Sequence, residues 1–165
     1  MVMKAGATRV LSDIRSDIYK SAVMDCASLC NAIADSVSAS MGGTSGALIE
    51  LMLRAMAAYF SSGQENLSWA KALDKGVGAM QFYGGATVGM RTMLDALVPA
   101  VQTLNSPVGS VAAAAAAAET GMESTKSMPS LAGRSNYIQE EKLKGIPDPG
   151  AVAVSACFQA VAALF

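Results

Sequence analysis

Apolar residues recur at helical spacing along almost the whole chain. Val2, Ala5, Val10, Leu11, Ile14 and Ile18 share one face of a first helix over residues 1–18, with Lys4, Arg15 and Asp17 off it. No capping residue precedes Met3, so the chain reads as starting inside an element, a hint of truncation. A second helix is predicted over 21–39, burying Val23, Cys26, Ala27, Cys30, Ile33, Ala34 and Val37. The third, Gly46 to Phe60, is apolar nearly all round, the pattern of a helix in the middle of a bundle. On it Glu50 and Arg54 stand four apart, as an ion pair on a solvated face. Leu67 to Tyr83 makes a fourth helix, with Trp69 packing at its start. The pattern resumes at Arg91, where Arg91 and Asp95 form a second i,i+4 pair at a helix start and Pro99 predicts a kink or an early stop. After the turn signal Asn105-Ser106-Pro107, a long alanine-rich helix runs from Val108 to Met128. Residues 130–147 lack periodicity, and the last helix opens with Asp148 as N-cap and Pro149 at its first position, running to Phe165. About seven helices joined by mostly short loops make an antiparallel bundle or closed ring.

Composition agrees with an all-α fold. The chain is 52% hydrophobic but 5% aromatic, rich in alanine and methionine and poor in the residues that suit strands. Its 165 residues are enough for one domain with a core. Net charge is -1 with no basic stripe, which argues against nucleic acid as a partner. No apolar run approaches the ~20 residues that cross a bilayer, and the N-terminus has no signal-peptide layout, so no membrane role is expected. Cys26, Cys30 and Cys157 are an odd number; without histidine they read as buried reduced thiols, in keeping with a cytoplasmic setting.

The absence of histidine also excludes a Ser-His-Asp set, a Cys-His pair and a histidine metal site. The carboxylates are scattered rather than paired. Three segments are left that suit a ligand. Ser40-Met41-Gly42-Gly43-Thr44-Ser45-Gly46 and Tyr83-Gly84-Gly85-Ala86-Thr87-Val88-Gly89-Met90 present backbone N–H groups and hydroxyls ahead of helices. The region from Gly133 to Gly150 adds a cation at Arg134. Each glycine segment reads two ways: as a phosphate cradle, or as a linker whose Ser or Thr caps the next helix.

Four motifs in order, Ser40 to Leu48, Gly89 to Leu97, Gly133 to Tyr137 and Asp148 to Ala151, resemble the C-terminal nucleotide-binding domain of dihydroxyacetone (glycerone) kinases, including the triokinase type and the separate bacterial ADP/ATP-binding subunit. The resemblance covers nearly the whole chain. It implies an eight-helix barrel that holds ATP and two magnesium ions and passes the γ-phosphoryl group to a triose on a separate dihydroxyacetone-binding domain, in the same longer chain or another subunit. It implies that Thr44 and Ser45 bind phosphates, that Gly84, Thr92 and Met93 lie along the nucleotide with Met93 against the base, and that Arg134, Asp148, Pro149 and Gly150 close the site. Residues 1–165 would form one such domain, without the family's first helix and its Gly-Asp-Gly-Asp magnesium segment, which would fall upstream of Met1. Met90 stands where the family usually has Asp, and cannot cap or hydrogen-bond in its place; Asn136 is a lesser departure. The expectation is a chain that handles ATP or ADP but is a weak kinase or none by itself, the alternatives being a non-catalytic nucleotide-binding or regulatory module and a purely structural bundle. An incomplete barrel would expose an apolar seam and favour a homodimer.

Overall fold

The computed structural model describes residues 2–16 and 25–165, apart from the side chains of Val2, Met3, Arg134, Ser135 and Glu140. The described residues are helical and contain no strand, as expected. They belong to two compact units, Met1–Gly84 and Gly85–Phe165.

In the first unit, α1 (Val2–Arg15), α2 (Cys26–Ser40), α3 (Gly43–Phe60) and α4 (Trp69–Gly84) pack in sequence order. The start of α2 is set by Asp25. Its carboxylate accepts the N–H groups of Ala27 and Ser28 and the Ser28 hydroxyl, satisfying donors that have no intrahelical partner. The Ser28 hydroxyl, then the backbone donors, hold this carboxyl below the usual aspartate range. The predicted start at Ser21, with Val23, lies outside the described residues. Asp13 fastens α1 to α2 by accepting the buried Ser36 hydroxyl at 2.6 Å, and it also takes the Arg9 guanidinium.

Only two residues, Met41 and Gly42, separate α2 from α3, so these helices form a hairpin. As expected, α3 is the middle helix of the unit, packed on both α2 and α4. Cys30, Ala34 and Val37 from α2, Met56 and Ala57 from α3, and Ala72 from α4 form the core. The predicted ion pair forms and is larger than expected: Arg54 reaches Glu50 at 3.2 Å and Asp35 at 2.5 Å. Trp69 packs edge-on against Phe60, ring centres 4.7 Å apart. The face predicted for α1 is only partly covered, with Leu11 and Ile14 exposed beside an apolar groove of about 330 Å³; Ile18 lies outside the described residues.

In the second unit, α5 (Leu94–Leu104), α6 (Val111–Ser124) and α8 (Pro149–Ala162) pack against one another. A 3-10 turn at Thr125–Ser127 follows α6, and a second at Arg134–Tyr137 and the short α7 (Glu140–Leu143) lie in the stretch without periodicity. Several predicted bounds need correction. The alanine helix starts at Val111 because Ser110 caps it, its hydroxyl accepting the Ala113 N–H at 3.1 Å. Pro99 does not stop α5, which continues to Leu104. A proline at 99 has no N–H for the Asp95 carbonyl; that carbonyl instead lies against Gly121 of α6. Ala114, Ala118 and Gly121 form a stripe of buried small residues that brings α6 onto Ala96 and Ala100. The cysteines also divide: Cys30 is buried and Cys26 half-buried, but Cys157 is exposed, contrary to expectation, because its face of α8 is uncovered.

Candidate functional site

Thr44 and Ser45 lie inside a helix and not in a loop. Gly43 opens α3 with φ +79°, a backbone geometry that glycine adopts without a steric penalty. The N-cap is Gly42, which makes no side-chain cap bond, so neither hydroxyl serves as the cap. Thr44 and Ser45 are therefore exposed residues of a helical first turn whose N–H groups lack intrahelical acceptors. Gly84, the last residue of α4, sits against Leu48, one turn along α3 from Thr44. The first unit thus gathers Thr44, Ser45 and Gly84 at one end of the α3–α4 pair. The groove beside α1 is lined by apolar residues such as Val10, Val37 and Ile49, and offers a polyanion nothing.

The second unit gathers Thr92, Met93, Asp148, Pro149 and Gly150. Asp95 organises the approach to α5. One carboxylate oxygen accepts the Gly89 N–H at 2.6 Å and the other the Thr92 N–H at 2.7 Å. Thr92 in turn uses its hydroxyl to accept the Leu94 N–H. Across from this turn, Asp148 caps α8 as predicted, taking the Ala151 N–H at 2.9 Å, with Pro149 in the first position. Its own N–H donates to the hydroxyl of the fully buried Thr125 at 2.8 Å. Met93 and Gly150 touch: a Cβ on Gly150 would lie 3.0 Å from the Met93 Cβ and 2.9 Å from the Asp148 Oδ2. Arg134 opens a 3-10 turn, but its guanidinium lies outside the described side chains, and with it the predicted phosphate clamp.

Arg91 corrects the predicted i,i+4 pair. It precedes the helix with φ +59°, and its Nη2 donates to the Ile146 carbonyl at 2.9 Å rather than to Asp95. Its side chain is 1% exposed, and its Nε and Nη1 have no partner among the described residues. Met90 is likewise not inert: its sulfur accepts the Thr87 N–H at 3.5 Å and its carbonyl takes the Leu131 N–H. The N-cap of α5, Met93, makes no side-chain cap bond, and Asp95 instead ties down the turn ahead of the helix. Burial pushes the Asp148 carboxyl up from the usual aspartate range, with Asp95 adding to the rise; its N–H donors and Arg91 pull the other way.

The DAK2 domain family matches residues 1–163. The chain belongs to that family. Rat triokinase/FMN cyclase (Rattus norvegicus) is 44% identical over 128 residues, covering 73% of this chain and 22% of the rat protein. The dihydroxyacetone kinase of Citrobacter freundii is 38% identical over 137 residues, covering 82% and 24%. The crystal structure of the C. freundii kinase in complex with AMP-PNP and Mg2+ superposes on 99% of the chain and 27% of its own length, with a TM-score of 0.81 and 30% identity. This DAK2 domain therefore spans about a quarter of the length of the curated relatives it matches. The resemblance expected from the four motifs holds, and so does the all-helical fold.

Metal chemistry finds no donor set among the described residues of the DAK2 domain. No three His, Cys, Asp or Glu side chains come together there. The buried carboxylates are engaged with backbone N–H groups, Asp95 through both oxygens and Asp148 through Oδ2. The residues described do not fit a magnesium site. Among the described residues, no helix is long and apolar enough to cross a membrane.

Proposed function

We propose that this DAK2 domain is the ATP-binding part of a dihydroxyacetone (glycerone) kinase, in which the γ-phosphoryl group of ATP passes to a triose held on a separate domain. The observation that carries the reading is the contact of Met93 with Gly150 beneath the Asp148 cap, inside a chain matched to the family over residues 1–163. Thr44 and Ser45 donate N–H and hydroxyl hydrogens to phosphate oxygens, where the helix dipole favours negative charge. Gly84, Thr92 and Met93 line the nucleotide, with the thioether of Met93 as an apolar wall for the base. Gly150 presents no side chain, so the ligand comes close to the α8 backbone, and Asp148 and Pro149 hold that turn in place. Arg134 pairs with phosphate. The family's magnesium is outside what these residues fit, so the domain's own part is to bind and orient the nucleotide. Phosphoryl transfer rests on positioning together with charge neutralisation, so this chain by itself turns over a triose slowly or not at all.

Thermal shift with ADP and ATP, with and without magnesium, tests the reading. At about 100 times the Kd, a bound nucleotide stabilises by about 2.7 kcal/mol, or roughly 5–10 °C for a chain of this length. The shift is expected without magnesium and should largely vanish in G150A, whose methyl group displaces Met93 or Asp148. No shift with any nucleotide refutes the reading and leaves a structural bundle.

A further inference from the structure

Arg91 is the side chain that the proposed reaction leaves unexplained. It is among the largest fully buried side chains described, its backbone adopts a left-handed conformation uncommon outside glycine, and two of its three side-chain nitrogens lack partners among the described residues. Such a group costs stability twice, through the conformation and through unmet donors. Its side-chain hydrogen bond among the described residues is long-range, joining residue 91 to the carbonyl of Ile146. The two ends of that bond lie two residues before Met93 and two before Asp148. The turn at one end is held by Asp95 through Gly89 and Thr92, and the turn at the other by Thr125 through Asp148. Nothing else among the described hydrogen bonds crosses directly from residues 91–93 to residues 146–150.

We propose that Arg91 is a positioning residue: its guanidinium ties the turn before α5 to the turn before α8 and so sets the spacing of Met93 and Gly150. The inference rests on reading Met93 and Gly150 as nucleotide contacts. A lysine at 91 keeps the charge and one donor for Ile146 but loses the planar fork; an alanine loses the tie entirely.

The test compares R91K and R91A with the unsubstituted chain, by amide hydrogen exchange and by calorimetric titration with ADP. Exchange at residues 146–151 is expected to rise about threefold in R91K and about tenfold or more in R91A, while the α6 amides stay as protected as before. The ADP Kd rises in the same order, and guanidinium ion added to R91A restores part of the affinity. Unchanged exchange at 146–151 in either folded variant overturns the proposal. So does a uniform rise across α5, α6 and α8, which would mark a merely structural role. If R91A fails to fold, R91K alone decides between these outcomes. If the unsubstituted chain does not bind ADP, the nucleotide reading fails while the exchange data still judge the tie.

Discussion

Gly121 is the position where one methyl group should do the most damage. It lies on the face of α6 that meets α5, and a Cβ there would fall on the Asp95 carbonyl oxygen, 2.9 Å from that carbonyl's carbon and 3.0 Å from the Ala96 Cα. Carbon atoms rest at about 3.5–4.0 Å, and the carbonyl oxygen must clear the Cβ as well, so α5 and α6 must move apart by roughly 1 Å or more. These atoms are backbone and cannot swing aside as a side-chain tip would. Separation also loosens Ala114 and Ala118, both fully buried beside Ala100. Overpacking of this kind costs about 1–3 kcal/mol, here at the upper end. The gain from replacing a helical glycine offsets about 0.5–1 kcal/mol, leaving about 2 kcal/mol of net destabilisation for G121A, or roughly 4–8 °C in Tm. Urea unfolding measures it, with G78A as the control. Gly78 is an exposed helical glycine with nothing within 4 Å of a Cβ, so G78A should be slightly more stable than the parent. The displaced carbonyl belongs to Asp95, so weaker ADP binding should accompany the loss. A G121A variant as stable as G78A would refute the close-approach account of this interface.

Replacing Asp25 with Ala should cost about 1 kcal/mol through loss of the α2 cap, read by urea unfolding, and Asn should recover most of it. Removing Arg54 should change stability by no more than about 1 kcal/mol, since its pair with Asp35 is exposed and its pair with Glu50 only half-buried. The Asp148 carboxyl is pushed above the ordinary value of 3.8, so the folded chain holds its proton more tightly than the unfolded one. Its contribution to stability is therefore lost as pH rises above 3.8. The stability of D148N relative to the parent should grow between pH 4 and neutrality, and a difference independent of pH would contradict this. Thiol labelling followed by mass spectrometry should modify exposed Cys157 in the native state, and should spare Cys30, which is buried with its thiol pushed up to about 11.

Helix periodicity carried most of the fold because apolar spacing reports directly on which face is buried. The α3 pattern, apolar nearly all round, placed that helix between two neighbours, and the Asp-Pro pair at 148–149 marked the start of α8 by cap chemistry alone. Boundaries were lost where the cap was overlooked, or where a residue normally read as a breaker found a tertiary partner. Asp25 and Ser110 are ordinary caps, legible once the cap is sought before the apolar run. Pro99 is different. Its cost depends on what receives the Asp95 carbonyl, and that is Gly121, 26 positions beyond Asp95, a pairing no local window contains.

The candidate site divides along the same line. Thr92, Met93, Asp148 and Gly150 were legible as motif residues, and the short-range cap at Asp148 was legible as physics. Arg91 was misread because i,i+4 spacing to Asp95 is the cheapest explanation of an Arg near a helix start, and it holds only if the arginine is already helical. The φ of +59° at Arg91 removes that premise, and Asp95 spends both oxygens on the turn itself, leaving the guanidinium to reach Ile146. Thr125 gave no signal at all, as a threonine ending an alanine helix, yet it anchors the turn that carries Asp148. Motifs thus marked the residues proposed to face the nucleotide, whereas the residues that hold those motifs at a fixed spacing act over 23 and 55 positions of sequence. A substitution at Arg91 or Thr125 should therefore disturb ligand binding as surely as one at Met93, and should do so by moving the turns and not by removing a contact.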